Sequence, residues 1–113
     1  MELSEKIIET QIIVFLQLNK INCWKQNNVG IYIAGKSTFK KRSEYERQGV
    51  SDILGILPDG KFLAIEVKSK IGKPSPHQIE FINSIKQSGG IAIIARNLDD
   101  VRDALAYYLK PSN

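Results

Sequence analysis

Asp52-Ile53-Leu54-Gly55-Ile56-Leu57-Pro58-Asp59-Gly60-Lys61-Phe62-Leu63-Ala64-Ile65-Glu66-Val67-Lys68 decides the fold. Two apolar runs flank a turn. Leu57-Pro58-Asp59-Gly60 suits a type I turn, with proline pre-set at the first central position and glycine free to turn left-handed. A three-residue hairpin loop of this kind pairs Leu57 with Lys61. Asp52 lies five residues before Leu57 and Glu66 five after Lys61. The register therefore sets the two carboxylates opposite each other on one face, with Cβ atoms roughly 5 Å apart. Lys68, two residues beyond Glu66, shares that face. A slip of one residue would separate the carboxylates onto opposite faces.

Facing carboxylates repel, and a purely structural sheet avoids them. A divalent cation reverses the balance, because oxygen ligands around Mg²⁺ or Mn²⁺ need negative charge gathered in one place. A lysine beside the pair can orient a water and offset charge on a phosphate. The pattern points to a metal site rather than to a solvated hairpin end.

The chain around this hairpin reads as one domain of 113 residues, with 42% hydrophobic and 25% charged residues. No apolar run approaches the roughly 20 residues that span a bilayer. Glu2 and Glu5 stand where a signal peptide would carry basic residues. The single cysteine, Cys23, has no partner for an internal disulfide and reads as a small core residue. A cytoplasmic protein is expected. The formal net charge of +4 is compatible with a nucleic-acid partner.

Before the hairpin, residues 3–19 read as a helix on the spacing of Ile7, Ile8, Ile12, Phe15 and Leu16, capped by Ser4. Residues 21–25 and 31–33 read as short strands. Lys36, Lys40, Lys41, Arg42 and Arg47 then crowd one segment, interleaved with Phe39 and Tyr45. Cations can meet phosphates there and rings can stack on bases. A solvated loop is the alternative. Lys70 and Lys73 extend the basic surface after the hairpin.

Ser75-Pro76-His77-Gln78 opens a second helix with a capping box. Ile79, Phe81, Ile82 and Ile85 are expected to face the core from it, and Gly89-Gly90 ends it. His77, the only histidine, lies in the first turn and is left out of the catalytic set. Ile91-Ala92-Ile93-Ile94-Ala95 suits a strand buried on both faces, completing a βαβ crossover. Leu98 to Leu109 reads as a final helix, with Asp99 and Asp100 in its first turn and Lys110 at its end.

Three segments together resemble the VRR-NUC domain family of the PD-(D/E)xK nuclease superfamily. They are Gly49-Val50-Ser51-Asp52-Ile53-Leu54-Gly55, Ile65-Glu66-Val67-Lys68 and Ser75-Pro76-His77-Gln78. The likeness runs from about Glu5 to Leu109 and is closest to small stand-alone phage members. One departure is Ser51, where the family usually has proline. The resemblance implies an α/β restriction-endonuclease-like core. Its mixed sheet carries helices on both faces, in the order α-β-(β)-β-β-α-β-α. It also implies metal-dependent hydrolysis of DNA phosphodiester bonds. Asp52 and Glu66 would hold Mg²⁺ or Mn²⁺, with the Val67 carbonyl as a further ligand, and Lys68 would orient the attacking water. Glu9 would complete the outer shell, with Glu5 as its rival. Gln78 is either a cap or a group that positions the lysine or a phosphate, and the two roles are compatible. Branched DNA such as a Holliday junction is one substrate the resemblance implies; flaps, nicks and plain duplex stay open. Cutting both strands needs two copies, hence a homodimer. A catalytically inactive DNA-binding module and a small partner-binding protein are the competing readings.

Overall fold

The computed structural model describes residues 3–26, 32–33, 38–39 and 44–109. Helix α1 spans Glu5–Leu18. Strands β1 (Asn22–Lys25), β2 (Tyr32–Ile33), β3 (Thr38–Phe39), β4 (Ile53–Ile56) and β5 (Phe62–Val67) follow. Helix α2 (Pro76–Gln87), strand β6 (Ile91–Ala95) and helix α3 (Leu98–Ala104) complete the order.

The four-stranded sheet runs β1-β4-β5-β6, and β2 with β3 forms a separate pair. β1 is antiparallel to β4 and β4 to β5, while β5 and β6 are parallel. The hairpin has the register set by its turn. Ile53 pairs with Ile65 and Ile56 with Phe62. Gly60 N donates to Leu57 O at 2.8 Å, and Leu57 N to Lys61 O at 2.9 Å. Gly60 has φ +90°, the left-handed backbone that this turn demands of its last residue.

The period-two alternation of the strands sorts the core into two layers. Ile53, Leu63, Ile65 and Val67 point to one side, where Ile8, Ile12 and Leu16 of α1 meet Val101 and Leu105. Leu54, Ala64 and Ala92 point to the other, beneath Phe81 and Ile82 of α2. The alanines leave room for α2 to approach the sheet closely. Helices thus cover both faces of a mixed sheet, the expected α/β architecture.

Local signals set the helix ends. Ser4 Oγ accepts from Ile7 N at 3.2 Å. α2 closes with Gly89 at φ +90°, its amide donating to Lys86 O while Gly90 N reaches Ile85 O. This paired arrangement satisfies the last carbonyls of the helix.

Some expectations are corrected. Ile79 is exposed, because α2 turns only Phe81, Ile82 and part of Ile85 inward. β6 lies at the sheet edge, with Ile91, Ile93 and Ile94 half-buried, and among the described residues no strand pairs with its outer side. The last helix ends at Ala104 and gives way to a 3₁₀ turn over Ala106–Tyr108. There Tyr108 Oη donates to Asp59 Oδ2 at 2.7 Å, tying the C-terminal turn to the hairpin tip. Lys110, expected at the end of that helix, lies outside the described residues. Among those residues no helix is long and apolar enough to cross a membrane.

Candidate active site

Glu66 sits on β5, on the same face as Ala64 and therefore toward α2. It is 1% exposed. Gln78 Nε2 donates to its Oε1 at 3.1 Å, whereas its Oε2 is buried without a hydrogen-bond partner. Burial pushes the Glu66 carboxyl up to about 8, and the neighbouring Asp52 carboxylate adds to the rise. Lys68 works in the opposite direction, and Glu5 adds a smaller upward push.

Asp52 immediately precedes β4. Its backbone carbonyl accepts from Gln26 N at 2.7 Å, continuing the β1–β4 ladder by one rung. Its Oδ2 accepts from Val67 N at 2.8 Å. A side chain thus replaces the backbone acceptor where the β4–β5 ladder ends, and fixes the carboxylate beside Glu66.

The approach to Asp52 explains one glycine. Gly49 has φ +73°, and a Cβ there would lie 2.3 Å from the backbone C and O of His77. The chain before β4 presses against the first turn of α2, and only glycine fits both the conformation and the space. Ser51 follows fully buried.

Gln78 serves two partners. Its Oε1 accepts from Ser75 N at 2.8 Å, and Ser75 Oγ accepts from Gln78 N at 3.2 Å, which is the complete capping box. Its side-chain amide donates to Glu66, not to Lys68.

A cleft of about 360 Å³ gathers Glu9, Lys25, Asp52, Glu66, Lys68 and Gln78, with Glu5, Lys6 and Val67 at its border. A second, of about 350 Å³, is lined by Gln48, Gly49, Val50, Ser75 and His77 and shares Asp52 and Gln78 with the first. Glu9 is paired with Lys25 Nζ at 3.1 Å across α1 and β1. Sequence reasoning missed Lys25, because nothing local in Cys23-Trp24-Lys25 indicates which helix residue it meets.

The VRR-NUC domain family model matches residues 31–97, more than half of the chain. The chain belongs to the VRR-NUC domain family. The matched span contains Asp52, Glu66, Lys68 and Gln78, and excludes α1 with Glu9. A solved structure of a VRR-NUC domain protein shares the fold, with a TM-score of 0.59 at 19% identity over 96% of this chain and 89% of that one. No curated protein matches this sequence.

The VRR-NUC family implies a nuclease, and a nuclease of this kind implies a divalent ion. Among the described residues no three carboxylate, histidine or cysteine side chains converge as a ligand cluster. The donor set is a pair of carboxylates, and it fits an oxygen-seeking cation. One oxygen of Glu66 is buried and unsatisfied, and Asp52 lies beside it.

The basic residues divide. Lys36, Lys40, Lys41 and Arg42 lie outside the described residues. Arg47 is docked on α2 of this VRR-NUC fold. Its Nη2 donates to Ser84 Oγ at 3.0 Å, and its guanidinium stands 5.4 Å from the Phe81 ring centroid. Lys70 and Lys73 are exposed on the loop that follows Lys68.

Proposed function

We propose that this VRR-NUC protein is a divalent-metal-dependent DNA endonuclease, served by Mg²⁺ or Mn²⁺. The observation that carries the reading is the buried Glu66 carboxyl, with one oxygen unsatisfied and Asp52 beside it. Asp52 and Glu66 would hold the ion, with the Val67 carbonyl as the third oxygen. When bound, the ion supplies a more acidic water and offsets charge on the reacting phosphate.

The chain's own residues do the rest. Gln78 fixes the orientation of Glu66 through Nε2, and Val67 N fixes that of Asp52. Lys68 lines the same cleft and sets an ammonium where it can hold the attacking water and meet a phosphate oxygen. The Glu9–Lys25 pair closes the α1 side. Lys36, Lys40, Lys41, Arg42, Lys70 and Lys73 supply phosphate contacts along the DNA.

Branched DNA is the proposed substrate, cut by two copies because one centre breaks one strand. The test is a panel of junction, flap, single-stranded and duplex DNAs with Mg²⁺, Mn²⁺ or chelator, using Asp52→Asn as control. Metal-dependent cleavage that Asp52→Asn abolishes supports the reading. Binding without cleavage under every metal leaves an inactive DNA-binding module.

A further inference from the structure

Arg96 follows β6 and touches no residue of the carboxylate pair. Its Nη1 donates to Ser69 O at 2.6 Å and Gly72 O at 2.7 Å, with Lys70 O at 3.3 Å. Its own amide donates to Asp100 Oδ2 at 2.8 Å, anchoring it to the start of α3. One guanidinium thus gathers three carbonyls of a single turn. All three bonds come from one terminal nitrogen with two hydrogens, so the longer contact to Lys70 O shares a donor with the two short ones.

The turn that Arg96 grips lies directly after Lys68. Gly72 N donates to Ser69 O at 3.2 Å and to Ser69 Oγ at 3.1 Å, so the turn folds back on itself. The fold brings Gly72 near the lysine stem: a Cβ added at Gly72 would come within ordinary contact, 3.6 Å, of Lys68 Cδ. Meanwhile Lys68 N donates to Ala95 O at 3.0 Å, holding the lysine backbone on the residue before Arg96. The backbone of Lys68 and the turn beside its side chain are both held from the same end of β6.

We propose that Arg96 is a positioning residue for Lys68. By pinning the Ser69–Gly72 turn it confines the lysine stem and aims the ammonium into the cleft. The role assigned to Lys68 rests on the nuclease reading; the grip on the turn does not.

Two measurements separate these levels. Hydrogen exchange of the Ser69–Gly72 amides tests the grip without any need for catalysis. Arg96→Ala should accelerate it markedly, while amides of α1 and β5 keep their protection. Kinetics test the consequence. Arg96→Ala should lower kcat about 10- to 100-fold, the range expected when a reacting group is misplaced, while KM for DNA changes less than about threefold. The Mn²⁺-dependent rise in melting temperature should persist. In a Lys68→Gln background the small residual cleavage should not fall further on Arg96→Ala, because the two act as one unit. Arg96→Lys keeps the charge on a head of different shape and should fall between; it carries the test if Arg96→Ala does not fold. Unchanged loop exchange overturns the proposal. So does an unchanged kcat, or an equal further loss in the Lys68→Gln background. A parent enzyme that cleaves no DNA defeats the nuclease reading instead, and the exchange result still judges the grip.

Discussion

Asp52 reaches across the hairpin and accepts the Val67 amide on Oδ2 at 2.8 Å. The bond gives this carboxylate a structural duty beside the chemical one proposed for it. Asn keeps an acceptor for the amide, and alanine does not. Asp52→Ala should therefore lose about 1–3 kcal/mol, the cost of a stranded buried donor. Asp52→Asn should leave the metal-free protein no less stable, since it removes a charge beside Glu66. Both should lose cleavage and the Mn²⁺-dependent rise in melting temperature. Lys68→Ala should lose cleavage and keep the rise. Melts with and without Mn²⁺ check this, and an Asp52→Asn protein that still responds to Mn²⁺ rules out the hairpin as the metal site.

The raised Glu66 carboxyl makes metal-free stability depend on pH. Its ordinary value of 4.5 applies to the unfolded chain, and the folded value is about 8. Between these limits the folded state holds the extra proton. Stability is fully present below about pH 4.5 and is lost as pH rises toward about 8, with a slope of up to about 1.4 kcal/mol per unit. Denaturant titrations in chelator across this window should show the fall, and Glu66→Gln should flatten it.

Gln78 joins the α2 cap to the carboxylate, and two substitutions pull these duties apart. Gln78→Ala should cost about 1 kcal/mol from the cap and should also lower cleavage. Gln78→Glu retains an acceptor for Ser75 N but sets a third carboxylate against Glu66. It should melt closer to the parent than Gln78→Ala does in metal-free buffer at about pH 5, where Glu66 still holds its proton, and cleave no better. Equal cleavage per folded molecule in parent and Gln78→Ala would confine this residue to the cap.

Gly49 and Gly60 share a positive φ but differ in their surroundings. Gly60 has open space where a Cβ would go. Gly60→Ala should cost about 1–2 kcal/mol for the left-handed backbone alone. Gly49→Ala adds a collision with His77 backbone and should cost at least about 1–3 kcal/mol more. It should also displace Gln78 and so reduce cleavage beyond the loss of folded protein. Similar melting temperatures for the two variants would contradict the close approach.

The basic segment should govern salt dependence. Replacing Lys40, Lys41 and Arg42 with alanine should weaken DNA binding, and should flatten the slope of log K against log salt by roughly 0.9 for each phosphate that is no longer neutralised. Fluorescence titrations over a range of salt decide it. An unchanged slope leaves the segment a solvated loop.

Turn chemistry makes the centre of this fold legible. Pro58-Asp59-Gly60 admits few hairpin loops, and the loop fixes every pair up to Ile53 and Ile65. The capping box at Ser75 and Gln78 is legible for the same reason: both ends of each bond lie within four residues. What escapes lies across long separations. The Tyr108–Asp59 bond spans 49 positions and the Arg96–Ser69 bond 27. Periodicity carries no information about such meetings, which depend on how α3 and β6 pack. β3 escapes because two residues inside a basic run offer no alternation. The family resemblance points Gln78 toward Lys68; only the placement of α2 shows that its amide reaches Glu66.

β5 is held by hydrogen bonds on both flanks, by β4 and by β6. Glu66 is therefore carried on a strand that cannot step aside when its neighbourhood becomes unfavourable. A buried carboxyl in that position has only one remedy at neutral pH, which is to stay protonated. On the proposed reading, a proton holds the place that the cation would take. Loading must discharge that proton, so the affinity for metal climbs by up to about tenfold per pH unit below the carboxyl's raised value. A nuclease built on that reading would be throttled by acidity at scarce metal, through a rigid strand rather than through a moving part.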